Sequence, residues 1–185
     1  MVEITGHQFG WEIRYPGADG VLGRKNYKLT DAAKGNPLGV DWGDAATHDD
    51  IHVATTMHVV VNKPVKLVIN SQDVIHDVGL PQFRLKMDAV PGTPTTLWFT
   101  PIYTTAQMKE KTGNPDFVYE IACDQLCGRG HYTMRGIIVV ETQEDFDAYM
   151  ASQKSEYYKA FPDHDPSKIA AHDSTATKTM AQRLK

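Results

Sequence analysis

Short apolar runs that alternate with polar residues, and that are separated by turn residues, dominate the chain from residue 51 onward. The runs are rich in β-branched and aromatic residues, which favour a pleated, half-buried surface. Dipeptides such as Pro91-Gly92 mark turns between them. Because no helical repeat separates the runs, the pattern predicts an antiparallel all-β sandwich or barrel. The predicted strands are residues 51–62 (one face formed by Val53, Thr55, Met57, Val59 and Val61), 65–71, 95–100, 117–122 and 136–142.

The other segments are predicted to form a loop, one helix and a tail. Residues 17–50 are rich in glycine and aspartate, which predicts a long loop with at most one strand. Thr142 and Asp145 have the spacing of a helix-capping pair, and the apolar residues after them recur at helical spacing as far as Tyr157. Residues 162–185 show no periodicity and are predicted to be frayed or disordered. We therefore expect one domain over residues 1–150, followed by the helix end and a tail over residues 151–185.

Charge divides the chain into an acidic body and a slightly basic tail. Residues 1–150 hold 13 lysines and arginines against 19 aspartates and glutamates, and the whole chain carries −4. This balance argues against nucleic acid as the partner, whereas an acidic body can attract a basic protein. The densest acidic group is a set of four aspartates for which a solvated loop is the simpler interpretation: Asp41, Asp44, Asp49 and Asp50.

No segment is predicted to cross or enter a membrane. No apolar stretch approaches the ~20 residues that span a bilayer, and residues 1–7 do not have the pattern of a secretory signal. The sequence as it stands is therefore expected to be soluble.

The chemistry is concentrated in residues 123–134, which contain both cysteines of the chain. Cys123, Cys127, His131 and Met134 follow the spacing Cys-x3-Cys-x3-His-x2-Met. Closing so short a loop costs little entropy, so a metal ion can organise it readily. Thiolate and thioether ligands favour copper over magnesium, calcium or manganese.

Three interpretations of this cluster remain open on the residues alone. The cysteines can form a disulfide or remain inert buried thiols, while His131 and Met134 only pack. A tetrahedral zinc site would use two cysteines, His131 and a distant histidine, and would leave Met134 without a role. A copper site uses all four side chains and is favoured on economy.

Three upstream segments add a family resemblance to this cluster. They are residues 6–11 (GHQFGW), 71–77 (SQDVIHD) and 85–92 (LKMDAVPG). Together with the cysteine run, they resemble the dinuclear CuA domain of subunit II of the haem–copper cytochrome c oxidases, over about residues 6–150. The CuA domain of nitrous oxide reductase shares the cysteine run, but residues 86–92 fit the oxidase better.

The resemblance implies a cupredoxin-like Greek-key β-barrel or sandwich, with a C-terminal helix and a flexible tail, that holds two copper ions. The implied ligands are Cys123 and Cys127, shared by both ions, His76 and Met134 on one copper, and His131 with the carbonyl oxygen of Gln125 on the other. It further implies a domain that accepts electrons from cytochrome c or a similar donor and passes them to haem in subunit I. The domain would lie at the outer, periplasmic or intermembrane-space, face of the respiratory membrane, and the parent oxidase would reduce oxygen to water. The domain alone would have no turnover.

Two positions depart from the family pattern. Gln125 stands where the family has a glutamate whose carboxylate helps to bind magnesium at the subunit I interface, and a neutral amide is a weaker ligand for that ion. Asp88 matches the family's aspartate near that magnesium, so the resemblance leaves magnesium open. Phe9 stands where the family has the tryptophan that receives the electron. Phe9 and Trp11 are therefore candidates for this role, with packing at the barrel end as the alternative.

Three further expectations follow from comparison with the family pattern. The family's two membrane helices are missing, so we expect a soluble fragment whose parent contacts the membrane only through those helices. Residues 101–116 are longer than the family's usual connection, and a long loop beside a metal site can reshape a docking surface. His52 and His58 lie at a separation that places them on one face of the predicted strand, and both are expected to be structural or exposed and not metal ligands.

Overall fold

Ten strands in two five-stranded sheets form the fold in this computed structural model, which describes residues 1–166. The first sheet has the order β3-β2-β1-β5-β8, with β1 Val2–His7, β2 Gly10–Tyr15, β3 Ile51–Ala54, β5 Val65–Ser71 and β8 Thr95–Phe99. The second has the order β4-β10-β9-β6-β7, with β4 Thr56–Val60, β6 His76–Leu80, β7 Leu85–Ala89, β9 Tyr119–Cys123 and β10 Arg135–Glu141. Neighbouring strands are antiparallel except β1 with β5 and β4 with β10. The predicted β-sandwich is thus confirmed.

The core lies between the two sheets and follows from the alternation of their strands. Leu67 and Ile69 are completely buried on β5, while Lys66 and Val68, which point to the other face, are more exposed. Facing them, Ile121 and Ile138 are completely buried on β9 and β10. Each large aliphatic side chain that is fully removed from water contributes about 1.5–3 kcal/mol to folding. This shared apolar layer holds the two sheets together.

Residues 51–62 form two strands that belong to different sheets, which corrects the prediction of one continuous strand. Thr55 has φ 69°, in the left-handed region, and separates β3 from β4. β3 pairs with β2 in the first sheet, whereas β4 pairs with β10 in the second. The backbone of Thr55 bonds to both sheets, since its N–H donates to the Trp11 carbonyl and its carbonyl accepts from Ile137, both at 2.9 Å.

The predicted loop over residues 17–50 contains short 3-10 turns and isolated bridges in place of a strand. It covers the outer face of β1 and β2, where Arg14 is buried between Glu3 and Asp50 at 2.7 and 2.8 Å. Asp50 therefore serves inside the fold, and Arg24 pairs with both Asp41 and Asp44. Much of the acidic cluster seen in the sequence is thus used to anchor this loop.

Helix α1, Thr105–Thr112, was not predicted. It begins with a capping box between Thr104 and Gln107 and ends at Gly113, whose φ is 66°. Its first residue accepts a hydrogen bond from the backbone of Val140 at 2.9 Å, near the end of β10. Residues 101–116 are therefore a helical connection, not an irregular loop.

The single predicted C-terminal helix is two helices, α2 (Gln143–Ser152) and α3 (Glu156–Ala160). The predicted cap is confirmed, since the backbone N–H of Asp145 donates to Thr142 Oγ1 at 3.2 Å. The break occurs because Gln153 is extended and Ser155 caps a new helix.

The first residues of the predicted tail are ordered. Pro162–His164 forms a 3-10 turn, and buried Asp165 pairs with Lys154 at 2.7 Å. The remainder of the predicted tail, residues 167–185, lies outside the described residues. Among residues 1–166, no helix has the length and apolar character needed to cross a bilayer.

Candidate metal centre

One end of the second sheet gathers the chemistry-bearing residues because its central strands are antiparallel. β6 begins at His76, β9 ends at Cys123, and β10 begins directly after Met134. The backbone N–H of Cys123 donates to the Met134 carbonyl at 3.2 Å. The loop between β9 and β10 therefore closes over this end and carries Cys127 and His131.

The two thiols lie at the centre of this cluster, with their Sγ atoms 3.7 Å apart. Around Cys123 Sγ, His76 Nδ1 lies at 3.9 Å and the Gln125 carbonyl oxygen at 3.1 Å. Around Cys127 Sγ, His131 Nδ1 lies at 3.7 Å and Met134 Sδ at 3.9 Å. The ligand atoms of His76, Cys123 and Cys127 all lie within 4.8 Å of one another. Two sulfurs at the centre of two imidazoles, a thioether and a carbonyl form a soft donor set that suits copper.

Both cysteines are buried free thiols. Their sulfurs are much farther apart than the ~2.05 Å of a disulfide bond. Burial, together with the neighbouring Cys123 thiol, raises the pKa of Cys127 to about 11. Two buried thiolates this close need a cation between them, because the anionic forms are otherwise disfavoured.

His76 is completely buried between the two sheets. Its ring meets the edge of Trp11 at a centroid distance of 6.2 Å, and a Cβ on Gly6 would lie 2.9 Å from His76 Cδ2. Glycine at position 6 is therefore required for the imidazole to approach β1. Asp73 Oδ1 lies 2.8 Å from His76 Nε2, on the side of the ring away from Cys123.

The turn between β1 and β2 covers the cysteine loop. The side-chain amide of Gln8 donates to the Cys127 carbonyl, and the ring of Phe9 packs on Gly130, where an added Cβ would approach it to 2.5 Å. Phe9 is 40% exposed, whereas Trp11 is 1% exposed and belongs to the core. Of the two aromatic candidates, Phe9 thus lies between solvent and the loop, and Trp11 packs inside against His76.

Asp88 lies beside two other carboxylates that the sequence did not single out. It is opposite Asp77 in the pairing of β6 with β7. Burial, and then the hydrogen bond to Asp88 and the charge of Asp124, raise the pKa of Asp77 to about 6. Asp77 Oδ1 is buried without a hydrogen-bond partner.

Helix α1 does not flank this cluster, which corrects the expectation that residues 101–116 lie beside the metal site. It packs at Val140, five residues along β10 from Arg135. At ~3.3 Å per residue of strand, that contact is about 16 Å from the start of the strand. The extra length is therefore added at the opposite end of the sheet.

A comparison with protein families decides the relationship. Residues 1–143 match the family model described as cytochrome c oxidase subunit II, periplasmic domain. The chain belongs to this family. The subunit II match includes both cysteines, the β1–β2 turn and β6, so the resemblance inferred from the motifs is confirmed.

Individual relatives agree with the family match. The chain is 37% identical over 155 residues to the alternative cytochrome c oxidase subunit 2 of Bradyrhizobium diazoefficiens, a match that covers 83% of this chain and 51% of that protein. It is 30% identical over 149 residues to cytochrome c oxidase subunit 2 of Thermostichus vulcanus, covering 80% of this chain and 32% of that protein. The subunit II domain described here thus spans about half or less of these relatives.

A solved structure supports the fold. The crystal structure of the periplasmic domain of subunit II of cytochrome oxidase (CoxB) of Bradyrhizobium japonicum aligns with a TM-score of 0.54 and 25% identity, covering 84% of this chain and 94% of that one. The cupredoxin-like fold implied by the sequence is therefore confirmed.

Sequence reasoning found the donor atoms but overlooked residues that hold them in place. Asp73 and Gln8 both lie inside the segments that carry the family resemblance, yet the resemblance gives neither of them a role. The signal for Asp73 was its position three residues before His76, on a segment that must turn into β6. The contact between Gln8 and the Cys127 carbonyl spans 119 residues and has no local signal.

Proposed function

We propose that this domain holds a dinuclear CuA centre and works as an electron carrier of a terminal oxidase. The observation that carries the proposal is the pair of buried free thiols 3.7 Å apart, each with an imidazole Nδ1 within 4 Å. Thioether and carbonyl donors on the same two sulfurs complete a set that zinc would not use in full.

Each residue has a defined part in this proposal. Cys123 and Cys127 would be shared by the two copper ions, His76 and Met134 would complete the ligands of one ion, and His131 with the Gln125 carbonyl would complete those of the other. When bound, the pair of copper ions supplies a one-electron couple. The protein supplies a buried, rigid frame on strand ends, and such a frame keeps the ligands in place when the charge of the site changes.

Membership of the subunit II family supports a proposal for the electron donor and the electron acceptor. We propose that the domain accepts one electron at a time from cytochrome c or a similar donor at the outer face of the respiratory membrane. It then passes the electron to haem in subunit I, in a complex that reduces oxygen to water. Phe9 is the proposed electron-accepting side chain on the donor side, because it is partly exposed and its ring contacts Gly128 and Gly130 of the cysteine loop.

Charge steering is the proposed means of encounter with the donor. Acidic residues outnumber basic ones by six over residues 1–150, so a basic cytochrome is attracted. We expect the second-order rate of electron transfer to fall as ionic strength rises. A rate independent of ionic strength would exclude this docking mechanism and leave the copper site untouched.

The deciding experiment is copper quantification combined with EPR of the air-oxidised protein. We expect two copper ions per chain, a coloured protein and a seven-line mixed-valence spectrum. Cys123→Ser and Cys127→Ser should each abolish the dinuclear signal, and Met134→Leu should keep two ions but change the spectrum and the reduction potential. Ser152→Ala, which removes an exposed hydroxyl on α2 outside the cluster, is the control.

Three results would overturn the proposal. They are one metal per chain, a colourless zinc protein whose Met134→Leu variant behaves like the parent, and a Cys123–Cys127 disulfide in the copper-treated protein. An unchanged spectrum in His76→Ala would remove His76 from the ligand set.

Magnesium is proposed only for the interface with subunit I. Asp88, together with Asp77 and Asp124, would supply carboxylate oxygens for the magnesium ion, while Gln125 offers only a neutral amide. We expect no tight magnesium binding by the isolated domain, and isothermal titration with magnesium checks this. Binding at micromolar concentration, lost in Asp88→Asn, would place a complete site on this chain alone.

A further inference from the structure

We infer that Asp73 is a positioning residue that turns His76 toward the thiol pair and ties the cysteine loop to the β1–β2 turn. The inference rests on the proposed function, because it assigns a role to a side chain that holds a proposed copper ligand. It adds a residue that lies outside the ligand set.

The first contact fixes the imidazole tautomer. Asp73 Oδ1 lies 2.8 Å from His76 Nε2, and His76 Nδ1 lies 3.9 Å from Cys123 Sγ. A carboxylate can only accept, so this hydrogen bond places the proton on Nε2 and leaves the Nδ1 lone pair facing the sulfur. His76 is fully buried, so water cannot replace Asp73 from another direction.

The second contact reaches the cysteine loop. Asp73 Oδ2 accepts from the backbone N–H of Gln8 at 2.8 Å, and the Gln8 side chain donates to the Cys127 carbonyl. One carboxylate therefore connects β6, which carries His76, with the loop that carries Cys127. One connected segment carries His76, which lies beside Cys123, and the other carries Cys127 and His131.

The carboxylate itself is held in one orientation by its own backbone. The N–H of Val74 donates to Asp73 Oδ1 at 2.7 Å, and the N–H of Asp73 donates to Ser71 Oγ at 3.3 Å. Although the Asp73 side chain is about one-third exposed, both of its oxygens are used inside the protein. This geometry separates Asp73 from an exposed surface acid that would act only through its charge.

Three variants separate the two roles. Asp73→Ala removes both contacts, and Asp73→Asn keeps the volume and one acceptor but loses the charge and the bond from Gln8. Asp116→Asn makes the same charge change at an exposed residue with no side-chain bond to the site, and is the matched control.

The first measurement needs no metal. Imidazole nitrogen NMR of the metal-free chain should show His76 as the Nε2–H tautomer in the parent and in Asp116→Asn, and a mixture of tautomers in Asp73→Ala. A structural role without positioning would leave the tautomer unchanged.

The second measurement uses copper. We expect copper affinity to fall about 10–100-fold in Asp73→Ala, the usual effect of removing a carboxylate from a ligating histidine. The oxidised centre should lose more copper affinity than the reduced centre, because the Asp73 carboxylate makes the His76 imidazole a stronger electron donor to the metal. A tenfold difference between the two losses raises the reduction potential by about 59 mV.

The inference fails if Asp73→Ala retains the Nε2–H tautomer, or if both Asp73 variants match Asp116→Asn in copper affinity and potential. If Asp73→Ala does not fold, Asp73→Asn, which preserves shape, decides the question by the same affinity and potential. Failure of the proposed function is recognised separately, since the parent would then bind no copper pair while the tautomer result would still stand.

Discussion

Arg14 lies on the outer face of the first sheet with three partners from different parts of the chain. Its guanidinium contacts Glu3, Asp50 and the carbonyl of Gly23 at 2.7–2.9 Å, and it is almost fully buried. Burial would raise the pKa of Glu3, but Lys25 and Arg14 outweigh it and hold that pKa below its ordinary value. At Asp50 burial prevails over Arg14, and its pKa is raised to about 6.

We expect Arg14→Leu to lower the free energy of unfolding by about 3–5 kcal/mol, because Asp50 is left buried without its cation and Glu3 keeps only Lys25. Urea unfolding of the metal-free chain measures this. Arg24→Leu, which breaks exposed pairs with Asp41 and Asp44, should cost about 0–1 kcal/mol. Equal losses in the two variants would show that the Arg14 network does not anchor the loop.

At the residue scale, the sequence predicted the donor atoms far better than their supports. Cys123, Cys127, His131 and Met134 are visible because they share one short segment with a soft-ligand spacing. His76 came only from the family resemblance, since it lies 47 residues from Cys123. Gln8 could not be assigned because its contacts with Asp73 and the Cys127 carbonyl join distant parts of the chain, whereas Asp73 had only its spacing to His76 as a signal.

The corner at Thr55 is the element that passes the chain from one sheet to the other. A Cβ on Gly136, at the start of β10, would lie 2.7 Å from the carbonyl oxygen of Thr55. The backbone at Thr55 cannot move aside to make room for the added Cβ, as the end of a flexible side chain can. We expect Gly136→Ala to destabilise the fold by about 1–3 kcal/mol, as overpacking does.

Chemical denaturation of the metal-free protein tests the Gly136→Ala prediction. Gly43→Ala is the control, because an added Cβ there meets only the end of the Asp41 side chain at 3.2 Å. It should change stability by less than about 0.5 kcal/mol. A Gly136→Ala variant as stable as Gly43→Ala would mean that the corner can shift without cost.

His52 joins three elements through charge. Its Nε2 lies 2.7 Å from Glu12 on β2, and its Nδ1 lies 3.8 Å from Glu156 on α3. Burial opposes protonation of His52, but the hydrogen bonds to both glutamates outweigh burial and raise its pKa to about 9. The expectation that His52 is structural agrees with this geometry.

The raised pKa of His52 gives stability a definite pH dependence. Because the folded-state value exceeds the unfolded value of ~6.5, the contribution is complete below that pH and is lost as pH rises toward 9. At about 1.4 kcal/mol per pKa unit, the loss is about 3 kcal/mol. Denaturant unfolding between pH 6 and 9 should show this decline in the parent and a flatter profile in His52→Gln; parallel profiles would contradict it.

At the element scale, alternation predicted strands only where it stood out from its surroundings. β2 does alternate, with Trp11, Ile13 and Tyr15 on one face, but Arg14 on the other face is also buried, against Gly23 and Asp50 of the loop over residues 17–50. β6 is buried at every position, so it has no period-two signal. The sheet change at Thr55 leaves the side-chain alternation intact and is therefore invisible in the pattern.

Across the whole molecule, the proposed metal centre would act as a cross-link. It would connect β6, β9 and the start of β10 at one end of the sandwich. A ligand that binds only the folded state stabilises it by about 1.4 kcal/mol for each tenfold excess over its dissociation constant.

We therefore expect copper loading to raise the thermal unfolding midpoint and chelation to reverse the gain, as measured by calorimetry. Cys127→Ser should unfold at the same temperature with and without copper. Coincident curves for the parent with and without copper would contradict the cross-link.

The separation of His76 from the cysteine loop also sets an order of events during biogenesis. An emerging polypeptide that ends before residue 123 offers the His76 imidazole without the two thiols, and a detached cysteine segment offers the thiols without that imidazole. Only the paired strands bring them into one pocket, since a complete site rarely exists in an unfolded chain. If the domain holds the proposed copper pair, metallation would therefore follow folding, and a copper chaperone would have to recognise the finished sandwich.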